Sequence, residues 1–369
     1  MPPALPTTSR SGPEPGLGPW TGADDVAPAQ QPPFGLSPAQ APLLFGIGFD
    51  DNGDAQGMTW ALNILRARGV HASFFMTAAY ARDEAIAETW RRAARDGHEI
   101  GNHSDSHLPQ HGGRSYAVQQ WSAEIHICTT FLDDAGVVAR KDLRGFRTPF
   151  LEYNDATLTA VAAAGLHYDC SIEEGAEPGQ DGSNAYWPYT LDRRSPGHSA
   201  QVRAQTAQDC ASALREIEPH PGLWELAVPA VFVPPDARCA DYDVAPGLRD
   251  RLKTRQPWFD AAAGAVTGFD FNLWADPATG GFAMTAAEFL ATLKYTVDQR
   301  LAGNRAPLLF GSHTGCYVDA WNENAPHARR AADRRATVEA LLDYVASKKD
   351  ARIVRHCDVL DWARNPTPL

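Results

Sequence analysis

One pattern constrains this chain more than any other: short apolar runs, each ending on a polar residue able to do chemistry. "LLFGIGF" runs into Asp50 and Asp51, "HEIGN" into His103 with His107 four residues on, "LRGF" into Arg147, "LHY" into Asp169 and "PLLFGS" into His313. Between these runs lie stretches with helical spacing. Met58, Leu62 and Leu65 share one face before Gly69, "AIAETWRRAARDG" ends at Gly97, and "YAVQQWSAEIHICTTFLDDAG" ends at Gly136. In each case the glycine is a helix stop. "DATLTAVAAAG" reads as a further helix with Asp155 as its N-cap. Later come "GLWELAV", "AAEFLATLKYTVDQRLAG", "RATVEALLDYVASKK" and "ARIVRH". Buried-type strands alternating with helices mean a parallel sheet with helices outside. About seven parallel strands favour an α/β barrel, in which the C-terminal strand ends converge on one face.

The apolar fraction, 44% of 369 residues, suffices for a large core. No apolar run approaches the ~18 residues of a membrane span. Lys plus Arg number 33 against 45 Asp plus Glu, a net charge of −12, which argues against nucleic acid or an anionic membrane as partner. Residues 1–40 are rich in Pro, Gly and Ser and read as a flexible or surface-wrapping arm. Residues 41–369 read as one catalytic domain, with an insertion at about 173–257 whose Pro, Gly, Asp and aromatic content suggests long rim loops. No CxxC pair occurs among the six cysteines, which speaks against a zinc knuckle, whereas the even count permits disulfides.

Taken singly, the strand-end residues have ordinary readings: an Asp caps a helix, a His satisfies a polar contact, an Arg before Pro lies on the surface. Together they form a constellation. His103 and His107 in "NHSDSH" can present both imidazoles to one side of a helix or tight turn. With Asp51 they make the two-His, one-carboxylate set of a hydrolytic zinc site, with positions left for water. Ser104 is placed to hold ligand geometry. Trp187, Trp224, Trp274, Trp321 and Tyr153 are candidates for stacking on a sugar ring, although Trp224, flanked by Leu223 and Leu226, reads better as core. Glu173 and Glu174 read as solvated rim charges or loop anchors.

The motifs "GFDD", "HSDSH", "RTPF", "YDCS" and "GSH" stand in the order of those of the polysaccharide deacetylases, carbohydrate esterase family 4. The family opens on Thr-Phe-Asp-Asp, so Gly48 is a departure. Phe150 replaces the commoner Tyr, and Gly311 stands where the last motif has Leu. "FRTPFLEYN", "YDCSIEEG", "YWPYTLD", "PGLWELAV" and "NRAPLLFGSHT" resemble the insect-type chitin deacetylases, so the likeness covers roughly residues 40–365. The resemblance implies a distorted (β/α) barrel and a divalent metal, usually Zn2+ with Co2+ or Ni2+ as substitutes. It implies removal of acetyl groups from N-acetylglucosamine units of chitin or chitooligosaccharides. Acetylated xylan and peptidoglycan are alternative N- or O-acetylated glycan substrates, and a binding-only relative is a further one. On that basis Asp51, His103 and His107 hold the metal and Asp50 is the general base. Arg147 orients Asp50, the Phe150 N–H faces the oxyanion, and His313 is the acid with Asp169 as its partner and Asp192 as a rival. The resemblance also implies a secreted or cell-envelope protein and a disulfide between Cys210 and Cys239.

Overall fold

The computed structural model describes residues 30–110, 112–204, 214–324 and 326–369. Most of the expected N-terminal arm, and Cys210 of the expected disulfide, lie outside these. The first strand is β1 (Leu43–Asp50), all eight residues of which are buried. It reads as an unbroken apolar run because both of its faces are covered. Helix α1 (Ala55–Arg68) follows, capped by the Asp54 carboxylate accepting from Gly57 N and ended by left-handed Gly69. Then come β2 (Ser73–Met76), α2 (Glu84–Arg95), β3 (Glu99–Asn102) and α3 (Val118–Asp134). Helix α3 buries Trp121, Ile125, Cys128 and Leu132 at helical spacing. β4 (Gly145–Phe146) leads to α4 (Asp155–Ala163). Here Asn154, not Asp155, is the cap, accepting from Thr157 N. Asp155 instead takes the Glu218 N–H and pairs with His220.

After β5 (Tyr168–Asp169) the chain forms β6 (Glu173–Glu174), β7 (Tyr189–Thr190), α5 (Pro196–Ala204), β8 (Trp224–Glu225), β9 (Val228–Phe232), α6 (Asp236–Cys239) and α7 (Leu248–Arg255). The segment expected as rim loops therefore carries regular elements, and β8 belongs to the main sheet. β10 (Ala265–Thr267) and α8 (Asp270–Trp274) precede the long α9 (Ala286–Ala302), whose Thr285 and Glu288 form a capping box. β11 (Leu308–His313), α10 (Ala331–Ala346), β12 (Ala351–Ile353) and α11 (His356–Arg364) complete the chain.

β11, β1, β2, β3, β4, β5 and β8 pair in that order, all parallel, and curl into a half-barrel, with β7 antiparallel at the edge. β10, β9 and β6 form a second sheet, joined to β11 by a bridge between Phe269 and Gly311. β1 changes neighbour partway: Leu43–Phe45 pair with β12, and Gly48 and Phe49 pair with β2. Among the described residues no helix is long and apolar enough to cross a membrane. The cysteines Cys128, Cys170, Cys239, Cys316 and Cys357 are buried free thiols.

Candidate active site

The pairing register brings the strand ends together. Asp50 lies directly beside His313, the His103 N–H bonds Met76 O, and the Arg147 N–H bonds Asn102 O. Neighbouring strand residues normally point to opposite faces. Here the chain leaves β1 through two left-handed residues, Asp51 (φ 67°) and Asn52 (φ 60°), a conformation Asp and Asn adopt more readily than most. The Asn52 side chain fixes that turn by donating to Phe49 O and Phe75 O, and Trp90 Nε1 donates to Asn52 O. The turn lets both acids serve one site.

"NHSDSH" forms a tight turn, with Ser104 (φ 69°) and His107 (φ 48°) left-handed. The His107 N–H donates to Ser104 Oγ at 3.2 Å, and the N–H groups of Asp105 and Ser106 donate to the Glu124 carboxylate. His107 Nε2 is 3.0 Å and His103 Nε2 3.4 Å from Asp51 Oδ1. His103 Nδ1 sits 2.8 Å from Arg147 O, which can only accept. In the neutral ring the proton is therefore on Nδ1, and Nε2 turns a lone pair toward Asp51. Asp51 Oδ1 is itself a buried oxygen without a donor. A charged carboxylate oxygen and two imidazole nitrogens within 4.8 Å of one another fit a divalent cation.

Asp50 is buried and accepts from Arg147 Nη1 at 2.8 Å. The guanidinium also donates from Nε to Cys170 O and lies over the rings of Phe75 and Phe269. Phe150 (φ 55°) projects its ring, half exposed, edge-on to His107 at 4.8 Å.

His313 has a different partner from the one expected. Its Nδ1 is 2.8 Å from Asp270 Oδ1, and its backbone N–H donates to Asp270 Oδ2 at 2.9 Å. Asp270, wholly buried, also accepts from Ser312 Oγ and Phe271 N. Burial alone would depress the imidazole, but the Asp270 charge and hydrogen bond hold it well above the usual histidine range. Asp169 lies on β5 and accepts from Ser171 N and Ser171 Oγ, and Ser171 Oγ in turn accepts from Thr148 N. Asp169 thus braces the turn that carries Phe150, and burial pushes its carboxyl up to about 6. Asp192 accepts from Gly222 N, away from His313. Asp270 was missed because "AVTGF" did not read as a strand. The signal was present all the same: "GFD" at 268–270 repeats the "GFD" at 48–50. Burial pushes the thiol of Cys316, which contacts His313, up to about 12 and works against its ionisation.

Three of the candidate sugar-stacking aromatics lie elsewhere. Trp187 is buried against Trp362 and donates to Asn304 O. Tyr153 is buried against His198, and Trp224 packs on the Leu44, Leu226 and Trp362 cluster beside Arg364. All three rings are occupied by core contacts. Other rings flank the strand ends: Tyr80 and Phe150 adjoin His107, Phe271 adjoins His313, and the candidate Trp321 packs against Phe271. Gly53 leaves room for the Tyr80 ring, since a Cβ there would sit 3.0 Å from Tyr80 Cβ. Glu174, expected as a rim charge or loop anchor, is buried and accepts from Tyr189 Oη and Gly197 N, an anchor's role.

Residues 44–168, which carry the Asp–Arg pair and the two-His, one-Asp cluster, match the family model described as polysaccharide deacetylase. Over 347 residues the chain is 24% identical to "Chitin deacetylase 8" of Bombyx mori, covering 91% of this chain and 74% of that protein. It is 30% identical over 146 residues to "Chitooligosaccharide deacetylase" of Sinorhizobium fredii, covering 38% of this chain and 63% of that one. A Mycobacterium smegmatis structure assigned to the polysaccharide deacetylases shares the fold, with a TM-score of 0.54 at 16% identity over 88% of this chain and 93% of that one.

Proposed function

We propose that this protein is a metal-dependent hydrolase that removes N-acetyl groups from N-acetylglucosamine units of chitin or chitooligosaccharides, releasing acetate. The observation that carries the reading is the placement of two opposed proton-transfer groups on register-paired strand ends: Asp50 held by Arg147, and His313 held by Asp270. The insect and rhizobial relatives, named as chitin and chitooligosaccharide deacetylases, support the substrate class.

Asp51, His103 and His107 would hold the cation, for which Zn2+ suits the nitrogen and oxygen donors. A bound dication supplies Lewis acidity, polarising the acetyl carbonyl and acidifying water. Asp50 takes the proton of the attacking water, and Arg147 keeps its carboxylate aimed and charged. The Phe150 N–H faces the developing oxyanion, a donor of a kind worth about 2.7–4 kcal/mol of barrier. His313, protonated through Asp270, delivers a proton from Nε2 to the departing amine. Tyr80, Phe150, Phe271 and Trp321 give the cleft aromatic walls suited to sugar rings. Action on an extracellular polymer goes with secretion.

The test is a substrate panel. Purified protein with Zn2+ or Co2+ should release acetate from chitooligosaccharides. Release from acetylated xylan or peptidoglycan, with none from chitooligosaccharides, would overturn the substrate class.

A further inference from the structure

The catalytic constellation leaves one buried titratable side chain unused. His356 opens α11, in the C-terminal stretch of the chain, yet its ring lies inside the half-barrel at the level of Gly46 and Gly48. It gets there because β12 takes the neighbour position on the first half of β1, so the turn into α11 falls where β1 changes partner. The entry is anchored. The His356 N–H donates to Ser73 Oγ at 2.8 Å, and the Cys357 N–H donates to Glu99 Oε2 at 2.9 Å. The ring packs edge-on to Phe75 and is wholly buried.

His356 Nε2 lies 3.1 Å from Nη2 of Arg147. A guanidinium has only donors, so Nε2 must offer a lone pair, and the ring is neutral with its proton on Nδ1. That Nδ1–H has no partner, a liability an apolar side chain of similar size would avoid. The ring also needs space that β1 surrenders. A Cβ at Gly48 would lie 2.9 Å from His356 Cε1 and 3.0 Å from Arg147 Nη1. The glycine that departs from the opening motif and the histidine are therefore one steric unit.

We propose that His356 is a positioning residue for the base: accepting from Nη2, it completes the set of acceptors, with Cys170 O on Nε and Asp50 on Nη1, that fixes the Arg147 guanidinium in one pose. Without it the guanidinium can rotate about its remaining bonds, and Asp50 loses a fixed partner. The Arg147 backbone carbonyl receives His103 Nδ1, so this one residue borders both the base and the ligand cluster. This inference rests on Asp50 acting as base.

The test compares His356→Leu, which fills the space without an acceptor, with His356→Gln, whose side-chain oxygen can reach the Nε2 position. On chitooligosaccharides the Leu variant should lose about tenfold or more in kcat with KM within twofold, and the Gln variant should recover most of that loss at equal Tm and metal content. A Leu variant with wild-type kcat, or a folded Gln variant no better than Leu, overturns the proposal. If neither variant folds, 15N NMR of the wild-type imidazoles decides. The neutral Nδ1–H tautomer of His356 is expected, and an Nε2–H tautomer or an imidazolium overturns it. The tautomer is read without turnover, so a protein that deacetylates none of the glycans offered would fail the functional reading separately.

Discussion

Asp270→Asn tests the proposed role of His313 as the acid. Asp270 is wholly buried and accepts four hydrogen bonds, from His313 Nδ1, His313 N, Ser312 Oγ and Phe271 N. Asn has nearly the same shape but one acceptor oxygen and one donor group. Either orientation sets an NH2 against an N–H, so one buried donor goes unsatisfied, at a cost of about 1–3 kcal/mol of stability. The charge matters more for activity. Asp270 is what raises His313 well above its ordinary range against burial. Because the folded-state value is raised, the His313 contribution to stability is complete below the unfolded value of 6.5 and is lost as pH rises through the folded one. The acid works only while protonated, so activity also falls as pH rises through that value. Removing an opposite charge at this distance moves a titration by about 1–3 pH units, each worth about 1.4 kcal/mol. The alkaline limb of kcat/KM for acetate release from chitooligosaccharides should therefore move down by about that much, with kcat at the optimum about 10²–10⁴-fold lower and metal content unchanged. An alkaline limb that stays where it is in the folded, metal-loaded variant would refute the reasoning.

Asp50→Asn and Asp51→Asn should fail differently. Elemental analysis should find metal retained in the first and reduced in the second, while acetate release falls in both; equal metal loss would collapse the division of labour between them. Trp187→Ala should lower stability by about 3–5 kcal/mol, as for a large core aromatic, and leave KM for chitooligosaccharides unchanged, because the ring is stacked on Trp362; a selective rise in KM at constant Tm would return it to the substrate site. Burial pushes Glu174 up to about 8, with Glu177 adding to the effect. Its raised value means that stability is full below the ordinary carboxyl value of 4.5 and is lost as pH rises through about 8. Glu174→Gln should flatten the fall of Tm across that window, and an unchanged Tm–pH curve would count against a protonated Glu174.

The strand ends were legible because each announces itself locally: an apolar run, then a chemical residue. That rule reaches Asp50, Asp51, His103, Arg147 and His313, and the curled parallel sheet does the rest by register. It fails for Asp270, which opens α8 beyond β10, because Thr267 and Gly268 break the apolar run that precedes it. It also fails for the aromatics. A Trp in sequence is a large ring with no address, and Trp187, Trp224 and Tyr153 proved to be packed, while Tyr80 and Phe150 adjoin His107 and Phe271 adjoins His313.

The sequence by itself determined the alternation of strand and helix, the helix stops at Gly69, Gly97 and Gly136, and the family motifs, since these depend on residues close in the chain. Tertiary structure decided the partnerships. Asp270 and His313 are 43 positions apart, and Arg147 and His356 are 209 apart. Which buried acid charges which histidine, and which ring fills the space above Gly48, depends on how strands dock, because an unpaired buried charge is costly and only the packed barrel supplies its counterpart.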